Sequence, residues 1–322
     1  MILLTGGTGF VGRHLVLQFV ADGRQVRVLS RVPGRIVLPD GVSWAKGDLT
    51  DPASLHTALS DVDTIVHAGA MLGDGPTPDA ALERVNTGGT EALARVARDM
   101  GRVRRFVHIS SAGVYGDGGT ASPHQESDIP VPVTPYERSK LSAEQALAKT
   151  LEGSKIQWTI LRPQGLYGPD RPATVAFFRM VAEKRLWLHG PAHVVVHPTH
   201  IADLTAAVRV VLARDDLQHE VINIGGARGL EYCELISLIG ARVGHVPYQL
   251  CAPRWTGHVA TFTSRLWGAA GKPPALLERH SRKWINRAVN IEKARRLLGF
   301  EPLTLESGLD HTVAELRRRA LL

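Results

Sequence analysis

The sequence predicts an α/β fold in which a doubly wound parallel sheet carries a smaller C-terminal α/β lobe. Two observations lead to this prediction. First, apolar strand patterns alternate with helical patterns from residue 2 to about residue 163, which is typical of a parallel sheet covered by helices on both faces. Second, the pattern loosens beyond Gly168 without a repeat or a low-complexity linker, so we expect the two lobes to interleave along the chain.

Composition describes an ordinary globular protein and excludes several classes. The 322 residues include 44% hydrophobic and 21% charged side chains, and the two cysteines form no C-x-x-C motif. We therefore expect a reducing, cytoplasmic compartment, with neither a disulfide framework nor a zinc knuckle. No apolar run reaches the length of about 18 residues that a membrane span needs, and the N-terminus does not resemble a signal peptide.

The net charge of +7 comes mostly from arginines spread along the chain. A solvated basic surface is the simplest interpretation, and attraction of an anionic cofactor or a membrane surface is the alternative. Nucleic-acid binding is not expected, because no recognition module accompanies the charge. Peripheral contact with a membrane stays open, whereas an integral membrane segment is not expected.

The first strand pattern, residues 2–4, runs into the sequence TGGTGFVG at residues 5–12, and a helical pattern follows. In this context Gly6 permits a tight turn, Gly9 lets backbone amides approach a pyrophosphate, and Gly12 lets helix and strand pack closely. The spacing is G-x-x-G-x-x-G instead of G-x-G-x-x-G, and a plain glycine-rich turn is the alternative. We favour a Rossmann-type NAD(P)-binding domain with cofactor contacts from Gly6, Thr8, Gly9, Phe10, Val11 and Gly12.

The second strand pattern, residues 25–30, ends in Ser30-Arg31 without a carboxylate. The residue at this point meets the adenosine ribose. A carboxylate would accept a hydrogen bond from a 2′-hydroxyl and repel a 2′-phosphate, and a guanidinium does the reverse. Arg31 therefore predicts NADP, with NAD as the less favoured cofactor. Arg13 and Arg35 either add to this charge or belong to the plain surface.

The next two strand patterns also end in residues that suit a bound nucleotide. Residues 42–45 lead to Asp48, which is placed to accept from the adenine amino group, and Asp51 is typical of a helix N-cap. Residues 63–67 lead to small residues that let the backbone lie against the cofactor. The loop 71–78, broken by glycine and proline, is interpreted as part of a substrate gate. The cofactor contacts predicted here are Asp48, Leu49, Ala68, Gly69 and Ala70.

A helix is predicted over residues 79–100, with Asn86 inside it. An asparagine is unfavourable there unless its amide holds something, so we count Asn86 among the cofactor-binding residues, with a solvated side chain as the alternative. The fifth strand pattern, residues 105–109, ends in Ser110-Ser111. Two hydroxyls at the carboxyl end of a parallel strand lie where such sheets bind ligands. We assign the site hydroxyl to Ser111 and a structural hydroxyl to Ser110.

Tyr136 and Lys140 follow at the start of the next helical pattern, four residues apart and therefore on one face. A buried phenol near a lysine cation ionises more easily than a free phenol, whose pKa is about 10. Such a pair can donate and accept a proton near neutral pH. The spacing Y-x-x-x-K is common by chance, so its weight depends on the strand ends that precede it.

Seven motifs follow one another in the order TGGTGFVG, GDLTD, HISSAGVYG, YERSK, LRPQGLYGPD, HIADL and NIGG. Over almost all of its length the chain resembles the extended short-chain dehydrogenases/reductases, which belong to the NAD-dependent epimerase/dehydratase superfamily. The resemblance implies a nicotinamide cofactor, catalysis by Ser111, Tyr136 and Lys140, and backbone at Pro163 that lines the nicotinamide. It also implies a homodimer built on the helices near 79–100 and 136–151. Finally, it implies an NAD(P)-binding domain of residues 1–163 plus about 194–225, and a substrate lobe of about 164–193 plus 226–322.

The second lobe has three histidines, His193, His197 and His200, spaced H-x-x-x-H-x-x-H. This spacing invites a metal site. However, residues 194–199 predict a strand and no H-E-x-x-H motif accompanies them, so we predict no metal. Asp203 is interpreted as a structural residue. Helices are predicted over residues 174–184, 202–213, 231–243 and 305–319, and a strand over 220–224.

Two departures from the family pattern bear on the substrate. Members acting on nucleotide-diphosphate sugars usually have an asparagine after the sixth strand and an arginine before the H-x-x-D-L segment. This chain has Gly165 near the first position and Val194-Val195-Val196-His197-Pro198 at the second. A diphosphate needs fixed donors and positive charge. Arginines elsewhere could substitute, and the candidates are Arg171, Arg254 and Arg265.

Apolar residues at helical spacing, Trp255, Val259, Phe262, Leu266 and Trp267, lie in the C-terminal part. One interpretation is an amphipathic helix packed on the core. The other is an apolar substrate lid or a membrane-facing surface. Together with residues 289–302, this region resembles the 3β-hydroxysteroid dehydrogenase-like branch of the family. In the second interpretation, headgroups would meet Arg279, Arg282 and Lys283.

Three hypotheses follow for a small-molecule substrate. The first is an NADP-dependent oxidoreductase that interconverts a secondary alcohol and a ketone on a largely apolar molecule. The second is a nucleotide-diphosphate-sugar epimerase or dehydratase in which the hydride returns to the substrate. The third is a non-catalytic NADP sensor, which the intact Ser111, Tyr136 and Lys140 disfavour.

Overall fold

The computed structural model describes most of the chain. The described residues are 1–34, 36–73, 77–116, 123–183, 188–190, 194–245, 249–251, 259, 262–263, 266–267 and 287–322. Several residues of the sequence analysis lie outside these ranges, namely Arg35, residues 74–76 of the loop 71–78, His193, Arg254, Trp255, Arg265, Arg279, Arg282 and Lys283.

A seven-stranded parallel sheet forms the centre of the molecule and confirms the predicted fold class. Mostly apolar runs form its central strands, because strands buried on both faces need no alternation of polar residues. The sheet consists of β1 (Ile2–Thr5), β2 (Val26–Ser30), β3 (Val42–Lys46), β4 (Thr64–His67), β5 (Arg105–Ile109), β6 (Gln157–Pro163) and β11 (Glu220–Ile224).

The strand order is β11-β6-β5-β4-β1-β2-β3. The chain runs outward from β1 to β3 and then crosses back to β4 beside β1, so the direction of winding reverses between β1 and β4. In register, Thr5 lies beside His67. Ligands of open α/β sheets bind at such a switch point, outside the carboxyl ends of the strands. The predicted glycine turn begins at this point.

Helices cover both faces of the sheet. On one face, α1 (Phe10–Ala21) and α7 (Ile201–Ala213) pack on the sheet with α9 (Glu292–Leu298), and Phe19 and Val208 are fully buried there. On the other face lie α2 (Pro52–Ala58), α4 (Gly89–Met100) and α5 (Pro135–Leu151). Asp51 caps α2 as predicted, since its side chain accepts from Ala53 N at 3.1 Å.

The predicted helix over residues 79–100 is confirmed, with one change of pitch. α3 (Asp79–Leu82) passes into a π-helix at Glu83–Gly88, and α4 continues from there. Inserted π turns in helices frequently occur at functional sites. Here the π turn contains Asn86, whose buried side chain is described below.

The C-terminal lobe has its own apolar core between α6 (Pro172–Ala182), α8 (Tyr232–Val243) and α10 (Leu305–Arg318). Three two-stranded ladders accompany these helices. They pair β7 (Leu166–Tyr167) with β10 (Thr199–His200), β8 (Leu188–Gly190) with β13 (Gln249–Cys251), and β9 (Val195–Val196) with β12 (Leu230–Glu231).

The single strand predicted over residues 194–199 was wrong. The structure has two short strands, β9 and β10, which belong to different ladders and are separated by His197 and Pro198. Pro198 has no amide hydrogen and interrupts a ladder. The strand β11, in contrast, joins the central sheet although it follows much of the second lobe in sequence. The division of the chain into two interleaved domains at the predicted boundaries stays a prediction.

The apolar residues near 255–267 are described only in part. Val259, Phe262, Leu266 and Trp267 are helical, and between 51% and 64% of each is exposed. For these four residues the expectation of core packing is therefore wrong within the single chain. None of the helices that the structure describes is both long enough and apolar enough to cross a membrane.

Asp203 is structural, as the sequence predicted. Its carboxylate accepts from His200 N at 3.2 Å at the start of α7, and from Leu303 N at 2.9 Å just before α10. Burial raises the pKa of Asp203 to about 6, although the hydrogen bonds from the two amides act to lower it. One buried carboxylate thus joins the sheet-covering helix α7 to the C-terminal lobe.

We predict that Asp203→Ala lowers the free energy of unfolding by about 1–3 kcal/mol, because two buried amides lose their acceptor. Denaturation by urea measures this change. Asp61→Ala is the matched control, since its carboxylate is half-exposed in a surface pair with Arg27 and its removal should change stability little. Equal stability of Asp203→Ala and the wild type would contradict the assignment.

Candidate active site

The glycine turn after β1 fits a dinucleotide. Gly6 has φ +70°, and a Cβ there would lie 2.6 Å from Gly69 N and 2.7 Å from Ala68 O. A Cβ on Gly12 would overlap the carbonyl oxygen of Gly6. The main chain after β1 therefore touches the main chain after β4 at Gly6, and it touches the first turn of α1 at Gly12. Only glycine, which has no Cβ, permits these two contacts.

The start of α1 is open to an anion. Gly9 is the N-cap of α1 and offers no side chain to the first-turn amides. Its own amide donates to Gly6 O at 2.9 Å, which closes the turn. Unpaired amides at a helix N-terminus bind phosphate groups. The turn of residues 6–12, the glycine cradle, lies at the switch point of the sheet and has room for a ligand that a Cβ would occupy. It therefore fits the pyrophosphate of a nicotinamide dinucleotide.

Arg31 and Asp48 lie together at the adjoining carboxyl ends of β2 and β3. Arg31 is exposed just after β2. Thr50 donates to Asp48 Oδ1 from its amide at 2.8 Å and from its hydroxyl at 2.9 Å. The hydrogen bond from the backbone amide of Thr50 is the largest cause that lowers the pKa of Asp48, and the positive charge of Arg31 lowers this pKa further. An exposed guanidinium is thus available where the sequence predicted the ribose contact.

Ser111 lies two residues after β5 and is the N-cap of a short 3₁₀ turn at Ala112–Tyr115. Its Oγ accepts from Gly113 N at 3.0 Å, which orients the hydroxyl. A Cβ on Gly113 would stand 3.1 Å from both Ser111 Oγ and Glu137 Cγ, so the start of α5 packs directly on this turn. Ser110 instead donates to the buried carboxylate of Glu144. The hydroxyl of Ser110 is thus engaged in the core, and the catalytic role of Ser111 stays a prediction.

Local sequence explains why α5 begins just before Tyr136. Pro135 occupies the first turn, and Thr134 and Glu137 form a capping box in which Glu137 N donates to Thr134 Oγ1 at 3.0 Å. Tyr136 is partly buried in the first turn, and residue 140 follows one turn later on the same face. A helix that starts sharply fixes the position of both side chains.

Lys140 is almost fully buried, with 2% of its surface exposed. Its ammonium donates to Ile109 O at 2.8 Å, and Nζ lies 3.4 Å from His108 Nε2. Burial lowers the pKa of Lys140 to about 8, and the negative charge of Glu144 opposes that shift. The cation is thus held against the end of β5, next to the turn that carries Ser111.

Asn86 is not solvated, so that alternative was wrong. Only 2% of it is exposed, and its amide bonds both main-chain groups of Met71, at 2.7 Å and 3.0 Å. Its Nδ2 also donates to Ser139 Oγ at 2.9 Å. The asparagine joins the loop after β4 to α5 beside Lys140, and its direct contact with a cofactor stays a prediction.

A buried polar network below the site was missed by the sequence analysis. Arg162, at the end of β6, pairs with Glu144 at 2.6 Å and donates to Tyr115 OH at 2.9 Å. The hydroxyl of Tyr115 donates to Asn223 Oδ1 at 2.8 Å. Two signals could have revealed the network: an arginine in an apolar strand, and a glutamate four residues after Lys140. Together they connect β5, β6, β11 and α5.

The described histidines of the second lobe do not form a metal site. His197 uses Nδ1 with Val289 O at 2.9 Å and Nε2 with Gly226 O at 2.8 Å, so both ring nitrogens are engaged. His200 Nδ1 accepts from Ala202 N at the start of α7. Within the ranges that the structure describes, no three His, Cys, Asp or Glu side chains are grouped as metal ligands.

A parallel sheet with a glycine cradle at its switch point, flanked by Ser111, Tyr136 and Lys140, defines a nicotinamide-dependent α/β enzyme of the extended short-chain type. The family model "NAD dependent epimerase/dehydratase family" matches residues 2–225, and the chain belongs to that family. The resemblance inferred from the seven motifs is therefore confirmed, and the protein is an NAD-dependent enzyme.

Individual relatives span redox and sugar-nucleotide chemistry. The chain is 30% identical to 4-hydroxy-2-methyl-3-oxo-4-farnesyl-3,4-dihydroquinoline-1-oxide ketoreductase of Stigmatella aurantiaca, over 95% of this chain and 94% of the relative. It is 28% identical to 3 beta-hydroxysteroid dehydrogenase/Delta 5-->4-isomerase of Mycobacterium tuberculosis, over 94% and 86% of the two chains. Among solved structures, MoeE5 in complex with UDP-glucose and NAD is 26% identical, covers 99% of both chains and has a TM-score of 0.79.

We predict that Gly12→Ala weakens NAD(H) binding at least about tenfold, which corresponds to about 1.4 kcal/mol. The added methyl overlaps Gly6 O, so the turn must move. Titration of cofactor fluorescence measures the affinity. Gly88→Ala is the control: it lies in a helical conformation with φ −61°, and its Cβ would have no neighbour nearer than 3.9 Å. Equal affinities for both variants would show that the turn does not hold the cofactor.

Proposed function

We propose that the protein is an NADP-dependent oxidoreductase that interconverts a ketone and a secondary alcohol on a small, largely apolar molecule. The observation that carries this proposal is a contact between the start of α5 and the turn that follows β5. The start of α5, with Tyr136 and Lys140, packs on the turn of Ser111 at the carboxyl end of β5. The glycine cradle lies on the same edge of the sheet.

Each of the three side chains has a distinct role in the proposed reaction. A bound nicotinamide cofactor would supply the hydride for reduction of the ketone and would accept it in oxidation of the alcohol. Tyr136 donates its phenolic proton to the ketone oxygen, and accepts it back in the oxidation. Ser111 donates a hydrogen bond to the same oxygen and orients it. The ammonium of Lys140 stabilises the phenolate of Tyr136.

The remaining predicted contacts would hold the cofactor along the sheet edge. An ammonium has three N–H donors, and Ile109 O and His108 Nε2 account for two of them in the structure. The third is proposed to bind the nicotinamide ribose. Pro163, at the end of β6, is proposed to line the nicotinamide. The adenosine part would meet Arg31, Asp48 and Leu49, and the pyrophosphate would meet the turn from Gly6 to Gly12.

Exposed apolar side chains near Tyr136 support an apolar substrate. Leu72 is 55% exposed in the loop after β4, and a Cβ on the next residue, Gly73, would lie 3.5 Å from Tyr136 Cβ. Val131 and Val133, which precede α5, are 49% and 43% exposed. The name of the Stigmatella relative includes a farnesyl group, and the mycobacterial relative is named for hydroxysteroids. Both names describe apolar molecules with a ketone or a secondary alcohol.

An epimerase or dehydratase acting on a nucleotide-diphosphate sugar is the second candidate. MoeE5, which resembles this chain over its whole length, is solved with UDP-glucose. One arginine also reaches the region where the sequence offered none: Arg287 N donates to Val195 O at 3.0 Å. Its guanidinium, however, faces the carboxylate of Glu137 at 3.7 Å. A diphosphate would have to compete with that carboxylate, so we favour the ketone.

We also propose a homodimer that buries the outer faces of α4 and α5, the two helices that pack on each other beside the site. Arg95 and Arg98 of α4 would then lie at or near the interface. Sedimentation equilibrium of the wild type and of Arg95→Glu would test this arrangement.

We predict that Tyr136→Phe lowers ketone reduction about a hundredfold to ten-thousandfold, because the substrate oxygen loses its proton donor. Consumption of NADPH with apolar cyclic ketones measures this rate. Tyr232→Phe removes the same hydroxyl from α8, where the ring stacks on Phe177, and should retain the rate.

Two outcomes would contradict the proposed function. Full turnover by Tyr136→Phe would exclude this phenol as the proton donor. Conversion of UDP-glucose without net consumption of NADPH would identify the second candidate, because an epimerase returns the hydride to its substrate.

We predict that Arg31→Ala weakens NADP binding about tenfold to a hundredfold and leaves NAD binding nearly unchanged. The guanidinium is proposed to pair with the 2′-phosphate, which NAD lacks. Isothermal titration with both nucleotides measures the ratio. Arg102→Ala is the control for lost charge. This exposed arginine precedes β5, at the amino ends of the strands, and donates to Ser60 O. Equal weakening for both nucleotides would refute the preference.

A further inference from the structure

A histidine that the proposed mechanism does not use lies directly against Lys140. His108 is on β5, has no exposed surface, and places Nε2 3.4 Å from Lys140 Nζ. The next residue, Ile109, offers its carbonyl oxygen to the same ammonium at 2.8 Å. Strand β5 therefore presents two acceptors to one buried cation, one from the main chain and one from an imidazole.

The contact determines the tautomer of His108. An ammonium has only donors, so Nε2 must accept and the single imidazole proton must be on Nδ1. His108 Nδ1 is buried and has no hydrogen-bond partner. Burial first, and then the nearby Lys140 and His67, lower the pKa of His108 well below its usual value. A second cation at 3.4 Å in a dry site would repel the ammonium, so His108 stays neutral.

The other polar groups around this pair are already engaged. His67, on β4, stacks on His108 with ring centroids 5.1 Å apart, but its nitrogens contact Thr5 Oγ1 at 2.6 Å and Thr90 Oγ1 at 2.9 Å. On α5, the carboxylate of Glu144 is bound to Arg162 of β6 and to Ser110.

Tyr136 lies one turn before Lys140 on the same helix. The imidazole of His108 lies within hydrogen-bond distance of the Lys140 ammonium and is a neutral acceptor.

We propose that His108 is a positioning residue: its neutral imidazole holds the Lys140 ammonium against β5 and keeps it charged near neutral pH. The consequence for turnover rests on the proposed function, whereas the effect on Lys140 itself does not. It follows that a side chain replacing His108 must accept a hydrogen bond and must not carry a positive charge.

The direction of the effect follows from the protonation states. Burial favours the neutral amine and lowers the pKa of Lys140 to about 8. An accepted hydrogen bond favours the ammonium, so loss of the imidazole acceptor lowers this pKa further. Lys140 then loses its charge at a lower pH. A shift of about one pH unit is expected for a hydrogen bond to a charged group. In ketone reduction, the alkaline limb of the pH profile moves down with it.

The experiment titrates Lys140 in the full-length protein labelled with ¹³Cε-lysine. The chain has eight lysines, and Lys140→Met assigns the signal. His108→Phe fills the space without an acceptor and should lower the pKa of Lys140 by about one unit. His108→Gln carries an amide oxygen near the place of Nε2 and should restore the wild-type value. His67→Phe changes the stacked neighbour without removing an acceptor of Lys140, and should leave the titration unchanged.

A second measurement uses the wild type alone and does not require the variants to fold. In ¹⁵N-histidine spectra, with the His108 ring assigned by correlation to its own backbone signals, the proton should be on Nδ1. A proton on Nε2 would overturn the proposal, and so would a His108→Phe protein in which Lys140 titrates as in the wild type.

The pH profile of ketone reduction separates this proposal from the proposed function. If His108→Phe moves the titration of Lys140 but no ketone is reduced by any variant, the role of His108 stands and the ketone assignment fails. If ketones are reduced and the alkaline limb of His108→Phe does not move, the ketone assignment stands and the role of His108 is refuted.

Discussion

Burial of the Lys140 ammonium is the constraint on which the rest of the site depends. A charge removed from water is costly unless hydrogen bonds and opposite charges compensate it. Here Ile109 O and His108 Nε2 accept from the ammonium, and Glu144 one turn later supplies negative charge. Because α5 must lie close enough to β5 for these contacts, the position of Tyr136 on the first turn of α5 follows from the burial of Lys140.

The compensation extends into the core through Glu144. Its carboxylate binds Arg162 of β6 and Ser110, which directly follows β5. Arg162 in turn donates to Tyr115, which donates to Asn223 of β11. Removal of one partner from such a buried pair leaves a charge without compensation and is far more destabilising than loss of a surface pair. The network therefore explains why the carboxyl ends of three neighbouring strands hold one arrangement under the proposed catalytic residues.

Much of this could be predicted because it depends on short segments. The glycine turn requires specific residues within eight positions, and its reason is steric: Gly6 and Gly12 lie where main chain meets main chain. Tyr136 and Lys140 share a face because they are one helical turn apart. Asp203 could be recognised as structural from its place in a helix start, although its bond to Leu303, a hundred residues later, could not.

Other features depend on contacts between residues that are far apart in the sequence, so the sequence does not reveal them. Asn86 looked unfavourable inside a helix, and its reason became clear only when Met71 and Ser139 surrounded its amide. The segment 194–199 had the composition of one strand, yet its ends pair with different partners in space. Exposure of Val259, Phe262, Leu266 and Trp267 likewise depends on what packs beside them, which periodicity alone does not report.

The sequence by itself determined the fold class, the family, the glycine cradle and the three residues proposed for proton and hydride chemistry, because each depends on local spacing or on motifs in a fixed order. Only the tertiary structure decided how Lys140 is kept charged, since His108, Glu144 and Arg162 reach it or each other from β5, α5 and β6. Hydrogen bonds and desolvation act between neighbours in space: His108 is 32 residues from Lys140 in the chain, and Arg162 is 18 residues from Glu144.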